Sequence, residues 1–145
     1  MYPILKHLHS GLRWLVLIAL IWAIYDAWQK WKQQASLNKD TRGPSFIALN
    51  LCHIQLLIGC ILFFFTPRIE AGPSMMKDKV MRFFAIEHPL MMLLAVALIT
   101  IGFVKAKKNN TGQSFHILFW YYLIALAMIL YAIPWPFQEF NTAWF

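Results

Sequence analysis

Four long apolar runs take up most of this chain, and they decide what it can fold into. The first extends from about Ile4 to Trp28 and is purest between Trp14 and Tyr25. The second runs from Pro44 to Pro67 without a charged residue. The third runs from about Val80 to Val104 and is interrupted by Glu87, and the fourth runs from about Phe115 to Pro136. A helix of about 20 apolar residues crosses a hydrocarbon core of ~30 Å. Four such runs in 145 residues leave little polar surface, and only 13% of the residues are charged. Ordinary soluble domains carry roughly 25%. The pattern excludes a disordered chain and argues against a soluble enzyme. It predicts an all-α, antiparallel four-helix transmembrane bundle forming one domain over residues 1–145. The helices are expected at approximately 4–30, 44–67, 79–105 and 114–134. With so little chain left over, function must lie inside the bilayer or at its two faces.

The net charge of +7 does not indicate a nucleic-acid partner. The basic residues lie in the connections, where lipid headgroups and topology account for them. Loops at 29–43 and 105–113 carry seven: Lys30, Lys32, Lys39, Arg42, Lys105, Lys107 and Lys108. The N-terminal side carries six: Lys6, Arg13, Arg68, Lys77, Lys79 and Arg82. This small excess favours a multi-pass membrane protein with both termini on the outer side. The first apolar run is followed by Asp26, Lys30 and Lys32 rather than by small residues, so it reads as a retained helix and not a signal peptide. Turn signals separate the spans: Gly43-Pro44-Ser45, Thr66-Pro67, Gly72-Pro73-Ser74, Asn109-Asn110-Thr111-Gly112 and Pro134-Trp135-Pro136. Trp22, Tyr25, Trp28 and Trp31 at one end, with Trp135 and Trp144 at the other, fit interfacial belts, and the run Trp120-Tyr121-Tyr122 anchors or packs the fourth helix. Cys52 and Cys60 are about 12 Å apart along one helix, too far for a disulfide, and are expected as packed thiols on one face.

Ionisable groups inside a membrane are costly and mark function by default. Five histidines are present: His7, His9, His53, His88 and His116. Counting ~1.5 Å per residue from rough helix midpoints places His9 about 15 Å, and His88 about 7 Å, from the midplane on the N-terminal side. His53 then lies about 5 Å, and His116 about 12 Å, on the opposite side. The four sort into two pairs, each drawn from two helices. That is the arrangement a bis-histidine b-type haem needs, with one imidazole on each face of the macrocycle. His9 with His88 is one candidate pair and His53 with His116 the other, for one haem or two. Arg13, one helical turn from His9, and Arg82 are candidate partners for haem propionates, with Arg68 nearby in sequence. The plainer reading of any one membrane histidine is a hydrogen bond between helices. His7 points away from His9 on the wheel and reads as solvated.

Glu87 reads either as a salt bridge to Arg13 or as a proton relay near a quinone or haem propionate. Pro89 removes the backbone bond to the carbonyl of Ala85 and is expected to kink the third helix and re-aim His88. Asn50 is placed to orient His53, while Gln55 points to another helix. Met75, Met76, Met81, Met91 and Met92 suggest copper ligation less well than packing.

The segments His7-Leu8-His9-Ser10-Gly11-Leu12-Arg13-Trp14, His53-Ile54-Gln55-Leu56-Leu57-Ile58-Gly59, Glu87-His88-Pro89 and Ile133-Pro134-Trp135-Pro136-Phe137 resemble a cytochrome b-like family of small bacterial four-helix membrane proteins. The resemblance spans nearly the whole chain. It implies haem binding and an electron-transfer or respiratory-accessory role. It singles out His9, His53 and His88 as haem candidates, and His116 falls outside its motifs. One haem plus a histidine at a polar or quinone site is then the simpler outcome. The leading expectation is a b-type cytochrome passing electrons within a respiratory or quinone-linked chain. Whether the chain turns over a substrate alone stays open. The competing expectation is a haem-free structural or assembly subunit of a larger membrane complex, and a weaker one is a proton or ion path using Glu87 and His53.

Overall fold

The computed structural model describes residues 2–66, 76–109 and 111–137. The turn expected at Gly72-Pro73-Ser74, together with Pro67, Arg68, Glu70, Met75, Asn110, Glu139 and Trp144, lies outside the described residues. Four long helices carry the fold: α1 (Tyr2–Lys32), α2 (Gly43–Phe65), α3 (Lys79–Asn109) and α4 (Ser114–Ala132). All four are long and apolar enough to cross a membrane, and the protein is a multi-pass membrane protein built as a helical bundle.

Local chemistry sets the helix ends. α1 stops after Lys32 in a Schellman-type turn. Gln34 adopts φ 53°, the amide of Ala35 donates to Lys30 O at 3.0 Å, and that of Gln34 donates to Trp31 O at 3.0 Å. Asn38 then ties the following loop, its Oδ1 accepting from the amides of Asp40 at 2.9 Å and Thr41 at 3.0 Å. Pro44 opens α2, where a missing N–H costs nothing. Asp78 caps α3 by accepting from the amide of Met81 at 2.9 Å.

α1 packs on α2 and α4, and α3 packs on the same two helices, so the four close a ring. The core between them holds Leu20, Ala48, Cys52, Ile99, Leu118, Tyr122 and Ala125. Small residues let the backbones approach where lipid supplies no hydrophobic drive. Gly102 is the extreme case, since a Cβ there would lie 2.4 Å from Cβ of Tyr121 on α4. The outer faces are apolar instead of charged: Ile18, Leu57, Phe64 and Leu93 are all exposed, as a surface in contact with acyl chains requires. α2 is the least enclosed helix, with only Ser45, Ala48 and Cys52 buried. Cys52 is buried but Cys60 is exposed. Eight residues turn a helix by about 80° beyond two full turns, which carries Cys60 off the packed face. The sequence expectation of two packed thiols is corrected for Cys60.

The third helix is distorted where Pro89 implies it. Residues Phe83–Glu87 form a π-helical turn immediately before His88. Without an N–H at residue 89, the carbonyl of Ala85 cannot receive its α-helical bond. A wider turn absorbs the mismatch, and such turns recur at functional sites.

Candidate functional site

At the end of the bundle where α1 begins, polar atoms from all four helices converge. His9 projects from α1 and His88 from α3, with ring centroids 6.3 Å apart and planes at 78°. His88 follows the π turn, and its ring also lies 5.9 Å from that of Phe83. Both histidines are part-buried.

The orientation of His88 traces back to a proline motif just past the end of another helix. The last carbonyls of α4 have no intrahelical donors. Pro134 and Pro136 ensure this for two of them, because each lacks the N–H that would bond four residues back. The freed carbonyl of Leu130 accepts from the indole Nε1 of Trp135 at 3.0 Å. The freed carbonyl of Ala132 lies 2.7 Å from Nδ1 of His88. A carbonyl can only accept, so Nδ1 carries the hydrogen and Nε2 keeps its lone pair. This backbone tether is how a metal-binding imidazole is commonly fixed in tautomer and direction.

His9 is held from α2. Gln55 Nε2 donates to the backbone oxygen of His9 at 2.8 Å. Gly59, one turn further along α2, faces the imidazole: a Cβ there would meet His9 Cε1 at 3.1 Å and Nδ1 at 3.7 Å. Nδ1 of His9 is buried and makes no hydrogen bond. Gln55 was expected to reach another helix. Gly59 was not singled out, although a glycine inside an uninterrupted apolar helix is a signal of close approach.

The remaining candidates have other partners. Arg82 Nε lies 2.7 Å from Glu87 Oε1 across the π turn, both side chains well exposed. Glu87 therefore pairs with Arg82 and not with Arg13, since a π turn brings positions 82 and 87 onto one side. Arg82 Nη1 also donates to Met76 O at 3.4 Å. The Arg13 guanidinium sits 5.3 Å over the ring of Trp14, which meets Trp135 edge-on at 6.2 Å. His7 is exposed.

His53 and His116 engage different neighbours. His53 Nδ1 lies 2.8 Å from Leu49 O, and its Nε2 lies 3.3 Å from Thr100 Oγ1 on α3. Asn50 donates to Phe46 O at 2.7 Å rather than orienting His53. His116 stands 4.5 Å from the ring of Trp31, and its Nε2 accepts from Trp120 Nε1 at 3.0 Å. Nε2 of His116 is thus occupied by an indole one helical turn away.

Among the described residues, no group of three or more His, Cys, Asp or Glu side chains is placed to hold a metal ion. Bare-ion sites draw three or four ligands from the protein. A pair of imidazoles suits a metal whose other donors arrive with it, as in a porphyrin. Two imidazoles bound to opposite sides of one ion at about 2 Å place their centroids roughly 6 Å apart, close to the separation of His9 and His88. His9 and His88 are the two imidazoles that the bundle brings together at this end. No family model, no curated protein and no solved structure matches this chain.

Proposed function

We propose that this protein is a membrane-embedded b-type cytochrome that binds one haem through His9 and His88 and passes electrons within a respiratory or quinone-linked chain. One observation carries the reading: two imidazoles from different helices stand 6.3 Å apart, one of them tethered through Nδ1 so that Nε2 is free. His88 contributes the pre-set ligand, because its ring cannot swing without breaking the bond to Ala132 O. His9 contributes the second, its backbone anchored by Gln55 and its ring admitted by the missing side chain at Gly59. Arg13, on the same face of α1 as His9, is the cation assigned to a propionate. Arg82 would have to leave Glu87 to share that role. Bound there, haem supplies a one-electron couple whose potential the two imidazoles and the apolar surroundings tune. The setting is a bacterial cytoplasmic membrane with both termini periplasmic, and the partners are lipid, a quinone and other subunits of a membrane complex.

The test is a reduced-minus-oxidised spectrum of protein purified from haem-replete cells. A b-type Soret and α band at one haem per chain is expected, lost in His88→Ala and His9→Ala and kept in His116→Ala. A colourless protein with full helical content would overturn the reading in favour of a haem-free assembly subunit.

A further inference from the structure

α2 gives little of its surface to its own bundle. Only Ser45, Ala48 and Cys52 are buried on it. Its other side carries a regular stripe: Ile47, Asn50, Ile54, Leu57, Ile61 and Phe64 are all exposed. Their spacing alternates three and four residues, the heptad repeat of a two-helix seam. At 3.6 residues per turn the stripe lies about opposite Ala48 and Cys52. Isoleucine holds one core position of the repeat, at 47, 54 and 61. Leu57 and Phe64 share the other with Asn50. Isoleucine at the first position with leucine at the second is the combination that favours parallel pairs. From residue 47 to residue 64 the stripe runs about 26 Å, most of a ~30 Å hydrocarbon core.

Asn50 is the polar member of the stripe. Its Nδ2 donates to Phe46 O at 2.7 Å, and among the described residues it makes no other hydrogen bond. A carboxamide brings two N–H groups and an acceptor oxygen, so one N–H and Oδ1 remain to be satisfied. Asn50 lies eight residues, about 12 Å, along α2 from Arg42. That depth is within the hydrocarbon, where acyl chains offer no partner. Lipid can cover the apolar members of the stripe but not this amide. An amide is its own complement, since each of two facing asparagines can donate to the other's oxygen. Copies of one chain insert in the same direction, so their α2 helices run parallel. A two-fold axis along the membrane normal then sets each residue of the stripe against its own counterpart.

We propose that the outer face of α2 is the interface of a parallel homodimer. Ile47, Ile54, Leu57, Ile61 and Phe64 pack across the seam. The Asn50 amides of the two copies bond reciprocally and fix its register, as one buried asparagine does in coiled coils. The inner face of α2, with Cys52, Gln55 and Gly59, stays with its own bundle. Each copy keeps its own His9 and His88, and the dimer rests on no part of the haem reading.

The experiment uses the full chain in phosphatidylcholine vesicles. Leu57 on α2 and Ile18 on α1 are equally exposed, at 64% and 63%. Each is replaced by cysteine in a Cys60→Ser background, whose remaining cysteine, Cys52, is buried. Under a membrane-permeant copper oxidant, Leu57→Cys should form disulfide-linked dimers and Ile18→Cys should not. Affinity is read by energy transfer between donor- and acceptor-labelled Ser36→Cys protein in the same background, as added lipid dilutes the copies. Asn50→Leu keeps the stripe apolar and removes the amide. Its dissociation constant should rise about threefold to thirtyfold, with helical content unchanged by circular dichroism. Cross-linking no greater at Leu57→Cys than at Ile18→Cys would mean that lipid covers the stripe, and would overturn the proposal. Equal affinity in Asn50→Leu and its parent would overturn it too. A haem-free spectrum would overturn the haem reading and leave both results unmoved.

Discussion

Replacing Gly102 by alanine tests the packing that brings α3 against α4. A Cβ at position 102 would lie 2.4 Å from Tyr121 Cβ, 2.8 Å from Cγ and 3.2 Å from Cδ1. Ordinary contact begins near 3.4 Å, so the helices must part by about 1 Å at this point. The nearest atom is itself a Cβ, tied to its backbone, and no flexible side-chain end can yield. Overpacking of this kind costs about 1–3 kcal/mol. Against it stands the helix propensity gained on replacing glycine, up to about 1 kcal/mol. The net expectation is a loss of about 1–2 kcal/mol. Gly11→Ala supplies the comparison, since a Cβ at position 11 meets nothing within 4 Å. That variant keeps the propensity gain alone and should be neutral or stabilised by up to about 1 kcal/mol. Reversible unfolding by sodium dodecyl sulfate in mixed micelles, followed by far-ultraviolet circular dichroism, measures both. The two variants should move the midpoint in opposite directions. If Gly102→Ala is as stable as Gly11→Ala, the close approach of α3 and α4 is refuted.

Two further substitutions probe the polar groups. Glu87→Gln removes the 2.7 Å ion pair with Arg82, whose side chains are 39% and 47% exposed; a pair so open to solvent is worth under about 1 kcal/mol. Stability should change little, and the spectrum of the proposed haem should not change at all; a lost or shifted spectrum would restore Glu87 to the proposed site. Tyr122→Phe removes a buried hydroxyl that donates to Ser45 O at 2.9 Å and should cost about 0.5–1.5 kcal/mol in the same unfolding assay. No change would mean that the α2–α4 contact near Ser45 does not hold.

The spans were legible because a long apolar run needs no partner to be recognised. Pro89 likewise announced a distortion of α3, and the π turn ends two residues before it, at Glu87. Pairings across the bundle were another matter. Nothing in the spacing of Glu87 chose Arg82 over Arg13, because the π turn that joins positions 82 and 87 changes the local register. The partner of His88 was out of reach for a similar reason. The Pro134-Trp135-Pro136 motif read as a helix stop, but what it frees is a carbonyl, and a carbonyl leaves no mark in a hydropathy pattern. Thr100 passed unnoticed because a lone threonine in a membrane helix can bond back to its own backbone. Its tie to His53 exists only once α2 and α3 are side by side.

Sequence alone determined that this chain is a bundle of membrane-spanning helices, and that histidines and one glutamate are the rare polar groups set among apolar residues. Both follow from the cost of placing charge in hydrocarbon, which acts residue by residue. Tertiary structure decided which of those groups meet. It brought His9 to His88, gave His116 to an indole, and turned His53 toward Thr100. Those outcomes depend on helix rotation and separation at the scale of 1 Å. They are set by where glycine and proline let backbones approach or leave carbonyls bare, and no single stretch of sequence contains both sides of such a contact.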